Sequence, residues 1–393
     1  QTMHKPPALL DMMKALISTP SISSANPDYD QSNRPVINLL ADWLSGLGYQ
    51  TEVLGIVNQP DKANLIATLG SGPGGLVLAG HTDTVPYDEG RWNYDPFQLT
   101  SANGRLYGLG TSDMKAFLAL AIEAAAAFPP TQFKEPLILV ATADEESSMD
   151  GARALVNAQR PRARYAVIGE PTGLRPVHMH KGILMESIHV RGRAGHSSNP
   201  ALGNSALEGM VRVLAELLDW RGELQARHRN PLFDVPFPTL NLGHIHGGDN
   251  PNRICADCEL HIDLRPLPGM EPGALRQNMR NRLRMALEDR GLELNCHPLV
   301  EATPAMETSV TSAIVCSAEE LTGYRATSAA FCTEGPYFSQ LGMDTVILGP
   351  GDIDQAHQPD EWLAEDRIRP TIDLLRKLID RFCLHPSTAT PAR

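Results

Sequence analysis

The stretch Leu76-Val77-Leu78-Ala79-Gly80-His81-Thr82-Asp83 is a short apolar run that leads directly into an imidazole and a carboxylate. Such a run reads as a strand buried on both faces. Similar runs recur at Asn64 to Thr68, Leu137 to Ala141 and Tyr165 to Ile168, with helical patterns between them at Pro35 to Leu47 and Met114 to Phe128. This alternation predicts an α/β fold whose largely parallel sheet is covered by helices.

The rhythm changes after Lys181. Leu184 to Arg191 alternates, a helix follows Asn204, and strand-like runs occupy Thr239 to Ile245 and Cys255 to Leu264. That order suits a small α+β insert. In its first helix Leu207, Met210, Val211, Leu214, Leu217 and Leu218 form the stripe expected to face the core, with Asn204 as the cap. A second helix at Pro272 to Asp289 sets Arg276, Arg280 and Arg284 four residues apart, opposite Leu275, Met279, Leu283 and Leu287. The basic row reads as a solvated face. Beyond about Pro298 the α/β pattern resumes, with a strand at Thr345 to Leu348 and a closing helix through Ile372 to Phe382. The expectation is a discontinuous catalytic domain of residues 1–181 and 298–393, interrupted by a dimerisation or lid domain of residues 182–297.

The chain has 393 residues, 42% of them hydrophobic, which is enough for one large domain or two ordinary ones. A formal net charge of -12, with no Lys/Arg-rich tract set apart, repels a phosphate backbone, so no nucleic-acid partner is expected. The longest apolar stretch, Ala116 to Phe128, is interrupted by Glu123 and too short to cross a bilayer. The N-terminus lacks a basic segment followed by an apolar one. These features predict a cytoplasmic protein with no membrane partner. The residues ahead of Met3 read as a remnant or a trimmed terminus. The six scattered cysteines suit reduced thiols. Cys255 and Cys258 form a C-x-x-C without a second pair, inside a strand-like alternation, and read as part of that strand.

In open parallel sheets the ligand crevice lies beyond the carboxyl ends of the strands. Here the strand-end segments are Gly80-His81-Thr82-Asp83, Asp144-Glu145-Glu146 and Gly169-Glu170-Pro171-Thr172. Thr111-Ser112-Asp113-Met114-Lys115 opens the long helix, and His357 follows Gly349-Pro350-Gly351. Five segments thus bring carboxylates or imidazoles to one rim, and a multivalent cation is the natural attractor. Histidine with carboxylate and no cysteine favours zinc or a neighbouring divalent metal, and this many donors can hold two ions. Asp83 lies two residues from His81, so both side chains leave an extended segment on the same side and the carboxylate can orient the imidazole. Glu145 and Glu146 would point apart in an extended segment, leaving one to ligate and the other free as a base.

These segments together resemble the M20 family of metallopeptidases, over nearly the whole chain. The most specific pieces are Gly80-His81-Thr82-Asp83-Thr84-Val85-Pro86, Tyr107 to Lys115, Ala143-Asp144-Glu145-Glu146 and Ile168-Gly169-Glu170-Pro171-Thr172. Asn241 to Gly248, Cys332-Thr333-Glu334-Gly335-Pro336 and Gln355 to Glu361 add to the likeness. The resemblance implies two divalent ions, zinc or else cobalt, with His81 and Glu170 on one, Glu146 and His357 on the other, and Asp113 as the bridge. It makes Glu145 the general acid/base. It further implies a homodimer in which His196, within Gly195-His196-Ser197-Ser198, reaches the partner's active site.

The reaction so implied is hydrolysis of the amide of N2-acetyl-L-ornithine to ornithine and acetate, a step of arginine biosynthesis. Succinyl-diaminopimelate or a broader set of N-acyl amino acids is the alternative substrate. For acetylornithine, Arg253 is the candidate grip on the α-carboxylate and Glu334 the candidate partner of the side-chain ammonium. A binding protein that has lost catalysis is the rival class, but a candidate exists for every catalytic role. Departures from the family pattern, at Ser112 and Ala116, remove no catalytic group. His180, His244 and His246 read as structural, and His189, His228, His261 and His297 have no companion motif.

Overall fold

The computed structural model describes residues 4–387. The residues ahead of Met3, and most of the polar tail after His385, lie outside the described residues. The chain divides into two compact units, Gln1–His178 with Thr308–Thr327 and Thr333–Arg393, and Met179–Glu307 with Ser328–Cys332.

In the first unit the strands run in the order Gln50–Ile56, Gln59–Leu69, Leu137–Thr142, Leu76–His81, Tyr165–Ile168, Asp344–Ile347. The last four are mutually parallel and the two at the edge antiparallel. Parallel strands must be covered on both faces, and every residue of Leu76–His81 and of Leu137–Thr142 is buried. The helix Lys115–Ala125 is buried at all positions except Glu123. It presses against the sheet where two glycines permit it. A Cβ on Gly80 would meet Met114 at 2.4 Å, and one on Gly169 would meet the Phe117 ring at 2.1 Å. Each of these glycines immediately precedes a candidate ligand, His81 or Glu170. Helices Leu9–Ile17, Arg34–Gly46 and Ile368–Ile379 share the same apolar core.

The second unit is a four-stranded antiparallel sheet, ordered Thr239–Gly247, Asp257–Arg265, Leu184–Arg191, Glu293–Pro298. Its core joins Ile188, Val190, Leu260 and Ile262 to helices Ala206–Arg227 and Pro272–Ala286. Three sequence-based expectations need correction here. The first helix is capped by Ser205, whose Oγ accepts from the Glu208 N–H, while Asn204 donates to the Arg290 carbonyl at 2.7 Å. Its buried line is Met210, Val213, Leu217, Trp220 and Leu224, whereas Leu207, Val211 and Leu218 are exposed. The exposed leucines and valine form a second line about a third of a turn round the helix. The basic row is solvated only at Arg284. Arg276 pairs with Glu186, a carboxylate buried among apolar strand residues that needs a charged partner. Arg280 donates to the Cys296 carbonyl at 2.9 Å. Cys255 and Cys258 are buried in this core. Among the described residues no helix is long and apolar enough to cross a membrane.

Candidate active site

The first unit gathers His81, Asp113, Glu145, Glu146, Glu170 and His357. His81 ends its strand with Nδ1 held 2.9 Å from the Asp83 carbonyl oxygen and 3.3 Å from the Asp83 carboxylate. This fixes the ring and turns Nε2 inward, 3.1 Å from Asp113 Oδ1 and 3.4 Å from Glu170 Oε1. Asp83 also accepts the backbone N–H groups of Glu145, at 3.2 Å, and Glu146, at 2.9 Å. It therefore ties the histidine to the acidic turn.

That turn is not a strand. The chain leaves Leu137–Thr142 and reverses through Asp144 at φ 58°. Glu145 then points toward His81, with Oε2 3.6 Å from Nε2, and Glu146 toward His357. On the opposite side His357 Nε2 lies 3.1 Å from Glu146 Oε1 and 3.4 Å from Asp113 Oδ2. His81, Asp113 and Glu170 offer ligand atoms within 4.8 Å of one another, as do Asp113, Glu146 and His357. Asp113 belongs to both groups. A third group of the same size joins His81 to Glu145 and Glu146, so Glu145 is also within reach of a bound cation.

The electrostatics favour positive charge. Burial pushes the Glu145 carboxyl well above its ordinary value, with Glu170 adding to the effect. Burial, then Asp113, carries Glu146 to about 8, and burial raises Glu170 to about 7. At Asp113 burial acts upward, but hydrogen bonds from His357 and His81 outweigh it and hold the group low. Burial lowers His81, yet Glu170 and Glu145 more than offset it and the ring is raised well above its usual value. Hydrogen bonds to Asp113 and Glu146 raise His357 to about 10. Closely packed carboxylates around imidazole nitrogens, with no thiolate, form a donor set that fits divalent cations of the zinc type.

Other candidates sit elsewhere. Glu334 is fully buried at 0% exposure, accepting from Thr142 Oγ1 at 2.6 Å, and burial pushes it to about 8. Its other carboxylate oxygen, Oε2, is buried with no hydrogen-bond partner among the described residues. His196 and Arg253 belong to the second unit, where their backbones form an antiparallel bridge. His196 is exposed with Nδ1 2.8 Å from Ser198 Oγ, and Arg253 is exposed and paired with Asp249 at 2.6 Å.

No sequence motif assigns a role to Lys62, Lys115 or Glu361, because each acts through partners far away in the chain. Lys62 Nζ is 2.7 Å from Asp144, and Lys115 Nζ donates to the Thr19 carbonyl at 2.8 Å. Glu361 accepts from the loop that carries Asp113. Lys115 alone carries a local signal, an ionisable residue at the head of an otherwise apolar stretch.

Two curated relatives, both named acetylornithine deacetylase, align over almost their full length. The protein of Pasteurella multocida is 46% identical over 97% of this chain and 100% of its own. That of Aliivibrio salmonicida is 48% identical over 96% and 100%. Among solved structures, aminopeptidase PepT from Bacillus cereus superposes with a TM-score of 0.74 at 20% identity, covering 95% of this chain and 97% of its own. A dinuclear metal-binding peptidase from Bacillus subtilis gives 0.64 at 14% identity, covering 94% and 97%. Residues 77–381 match the profile of Peptidase family M20/M25/M40, and the chain belongs to that family.

Proposed function

We propose that this protein is a two-metal amidohydrolase that cleaves N2-acetyl-L-ornithine to ornithine and acetate. The observation that carries this reading is the position of Asp113. One carboxylate oxygen is 3.1 Å from His81 Nε2 and the other 3.4 Å from His357 Nε2. A single carboxylate thus faces two candidate ligand sets, His81 with Glu170 and His357 with Glu146, and would be shared by both. These residues would hold two divalent ions, zinc before cobalt, which would supply Lewis acidity toward a water and the acyl carbonyl.

The chain's own groups do the rest. Glu145 accepts the proton of the attacking water and delivers it to the amine nitrogen as the C–N bond breaks. Asp83 holds both the His81 ring and the backbone of Glu145 and Glu146, so it positions base and ligands together. His196 is the donor we assign to the developing oxyanion, supplied by the partner in a homodimer, and such a donor is worth about 3 kcal/mol. Arg253, its neighbour across the antiparallel bridge, is the group we assign to the α-carboxylate. The substrate assignment is supported by relatives of that name at 46% and 48% identity. A cytoplasmic enzyme of arginine biosynthesis is the setting implied.

The test is a substrate panel on metal-stripped and zinc-restored protein, using N2-acetyl-L-ornithine, N-succinyl-diaminopimelate and N-acetyl-L-methionine. Stripping should abolish turnover and zinc restore it, with the highest kcat/KM on acetylornithine. A preference for the succinyl substrate overturns the substrate assignment, and activity indifferent to stripping overturns the metal assignment.

A further inference from the structure

Glu361 is buried at 1% exposure, four residues after His357. Its carboxylate accepts three backbone N–H groups from one short loop, Gly110 at 3.1 Å, Ser112 at 2.8 Å and Asp113 at 3.0 Å. The flanking chain repeats the grip. The Gly108 N–H donates to the Glu361 carbonyl at 3.0 Å, and Ser112 Oγ donates to the Trp362 carbonyl at 2.6 Å. Trp362–Ala364 pairs antiparallel with Arg105–Tyr107 on the approach to the loop.

The loop needs such a partner. It lies just ahead of the buried helix Lys115–Ala125 and outside its hydrogen-bond ladder, so its buried N–H groups must find acceptors elsewhere. Gly110 at φ 93° and its neighbours aim three donors at one point, and a buried donor left unpaired costs about 1–3 kcal/mol. A carboxylate offers only acceptors, so it can satisfy all three together. A glutamine amide in its place would turn an NH2 group toward at least one of those N–H donors.

We infer that Glu361 is a positioning residue. It fixes the backbone of Asp113 so that the Asp113 carboxylate stands between His81 and His357, and it links that loop to the segment bearing His357. The inference rests on the reading of Asp113 as a metal bridge. Outer partners of this kind typically contribute 10–100-fold to metal affinity or activity.

Glu361→Gln should weaken Zn2+ retention against a competing chelator by about 10–100-fold and lower kcat on N2-acetyl-L-ornithine to a similar degree, with KM changed less than about threefold. In parallel, Asp113→Asn tests the underlying reading, because a variant that keeps both ions means Asp113 is not the bridge. Loss of metal in Asp113→Asn with wild-type retention and kcat in Glu361→Gln overturns the positioning role alone. If Glu361→Gln does not fold, hydrogen exchange on the unaltered protein decides. The peptide covering residues 108–114 should stay protected after chelation, since a carboxylate and not the metal holds its amides. Exchange of that peptide at the rate of an open loop once zinc is removed would overturn the inference.

Discussion

Glu145 and Glu146 are consecutive in the chain yet face different histidines, Glu145 with Oε2 3.6 Å from His81 Nε2 and Glu146 with Oε1 3.1 Å from His357 Nε2. The separation comes from the turn entered at Asp144, and it suits one acid to ligation and the other to proton transfer. Glu146→Gln should lose part of the bound metal. Glu145→Gln should retain metal and lose turnover by about 10²–10⁴-fold, the usual contribution of a general acid/base. Elemental analysis beside steady-state rates decides it, and equal metal loss in both variants would show the division of roles to be wrong.

His196 and Arg253 are bridged backbone to backbone, so the second unit presents an imidazole and a guanidinium side by side. Provided a homodimer forms, complementation tests whether His196 serves the neighbouring subunit. Mixing His196→Ala with Glu145→Ala subunits should restore one working site per heterodimer, because one site then has both groups intact. Mixtures as inactive as either parent would place His196 with the site of its own chain, and full activity in His196→Ala alone would place it outside catalysis.

Lys62 is buried beside Asp144, 2.7 Å away, and also contacts Asp30 at 2.9 Å. Ser23 donates to the same Asp144 oxygen at 3.0 Å, so the root of the Glu145–Glu146 turn is clamped on two sides. Lys62→Met leaves a buried carboxylate without its cation and should cost about 3–5 kcal/mol of stability. Adding Asp144→Asn removes the stranded charge and should recover much of that loss. Urea unfolding of both variants checks this; equal destabilisation in single and double variants would mean that packing of the lysine stem, and not its charge, is what matters.

The residues at the strand ends are legible from sequence because the cause is local. An apolar run that ends at His81, or one residue short of Glu170, marks both the strand and the rim it reaches, whereas the close helix above Gly80 and Gly169 shows only in the structure. What is not legible depends on distance along the chain. Glu361 bonds to a loop about 250 positions earlier, the pairing with Asp113 spanning 248 residues. Arg276 reads as solvated because its partner Glu186 lies on a different element, hidden in the alternation of a strand. The helix beginning at Ala206 carries two apolar lines, and spacing alone does not say which one the sheet covers.

His180 predicts a pH dependence of stability. Burial draws its pKa down to about 4, the Lys181 carbonyl offsetting this only partly. The folded ring stays neutral while the unfolded chain takes up a proton near its ordinary pKa, so stability falls as pH drops through about 6.5 and levels off near 4. The difference corresponds to about 3 kcal/mol at the acid end. Unfolding of the wild type and of His180→Gln, followed from pH 7.5 to 4.5, should show the wild type losing more. Parallel losses would mean that other groups govern the acid limb.

Glu334 gives the sharpest test of how the substrate is read. Its carboxylate is fully enclosed, bonded to Thr142 Oγ1 at 2.6 Å, and Thr142 ends the strand that leads into the Glu145–Glu146 turn. A residue so placed is expected to support that strand end, and its substitution should then affect substrates with and without an ammonium alike. Glu334→Gln should therefore reduce kcat/KM by a similar factor for N2-acetyl-L-ornithine and N-acetyl-L-methionine, leaving their ratio within about threefold of the unmodified enzyme. A direct ammonium contact would instead penalise acetylornithine alone, by the 1.5–3 kcal/mol or so that a hydrogen bond to a charged group contributes, roughly 10–100-fold in the ratio. Measuring both substrates on one preparation cancels errors in active-site concentration, so the ratio discriminates even if the variant is partly unfolded. A selective loss on acetylornithine would return Glu334 to the substrate site and require the enclosing segment to open during binding.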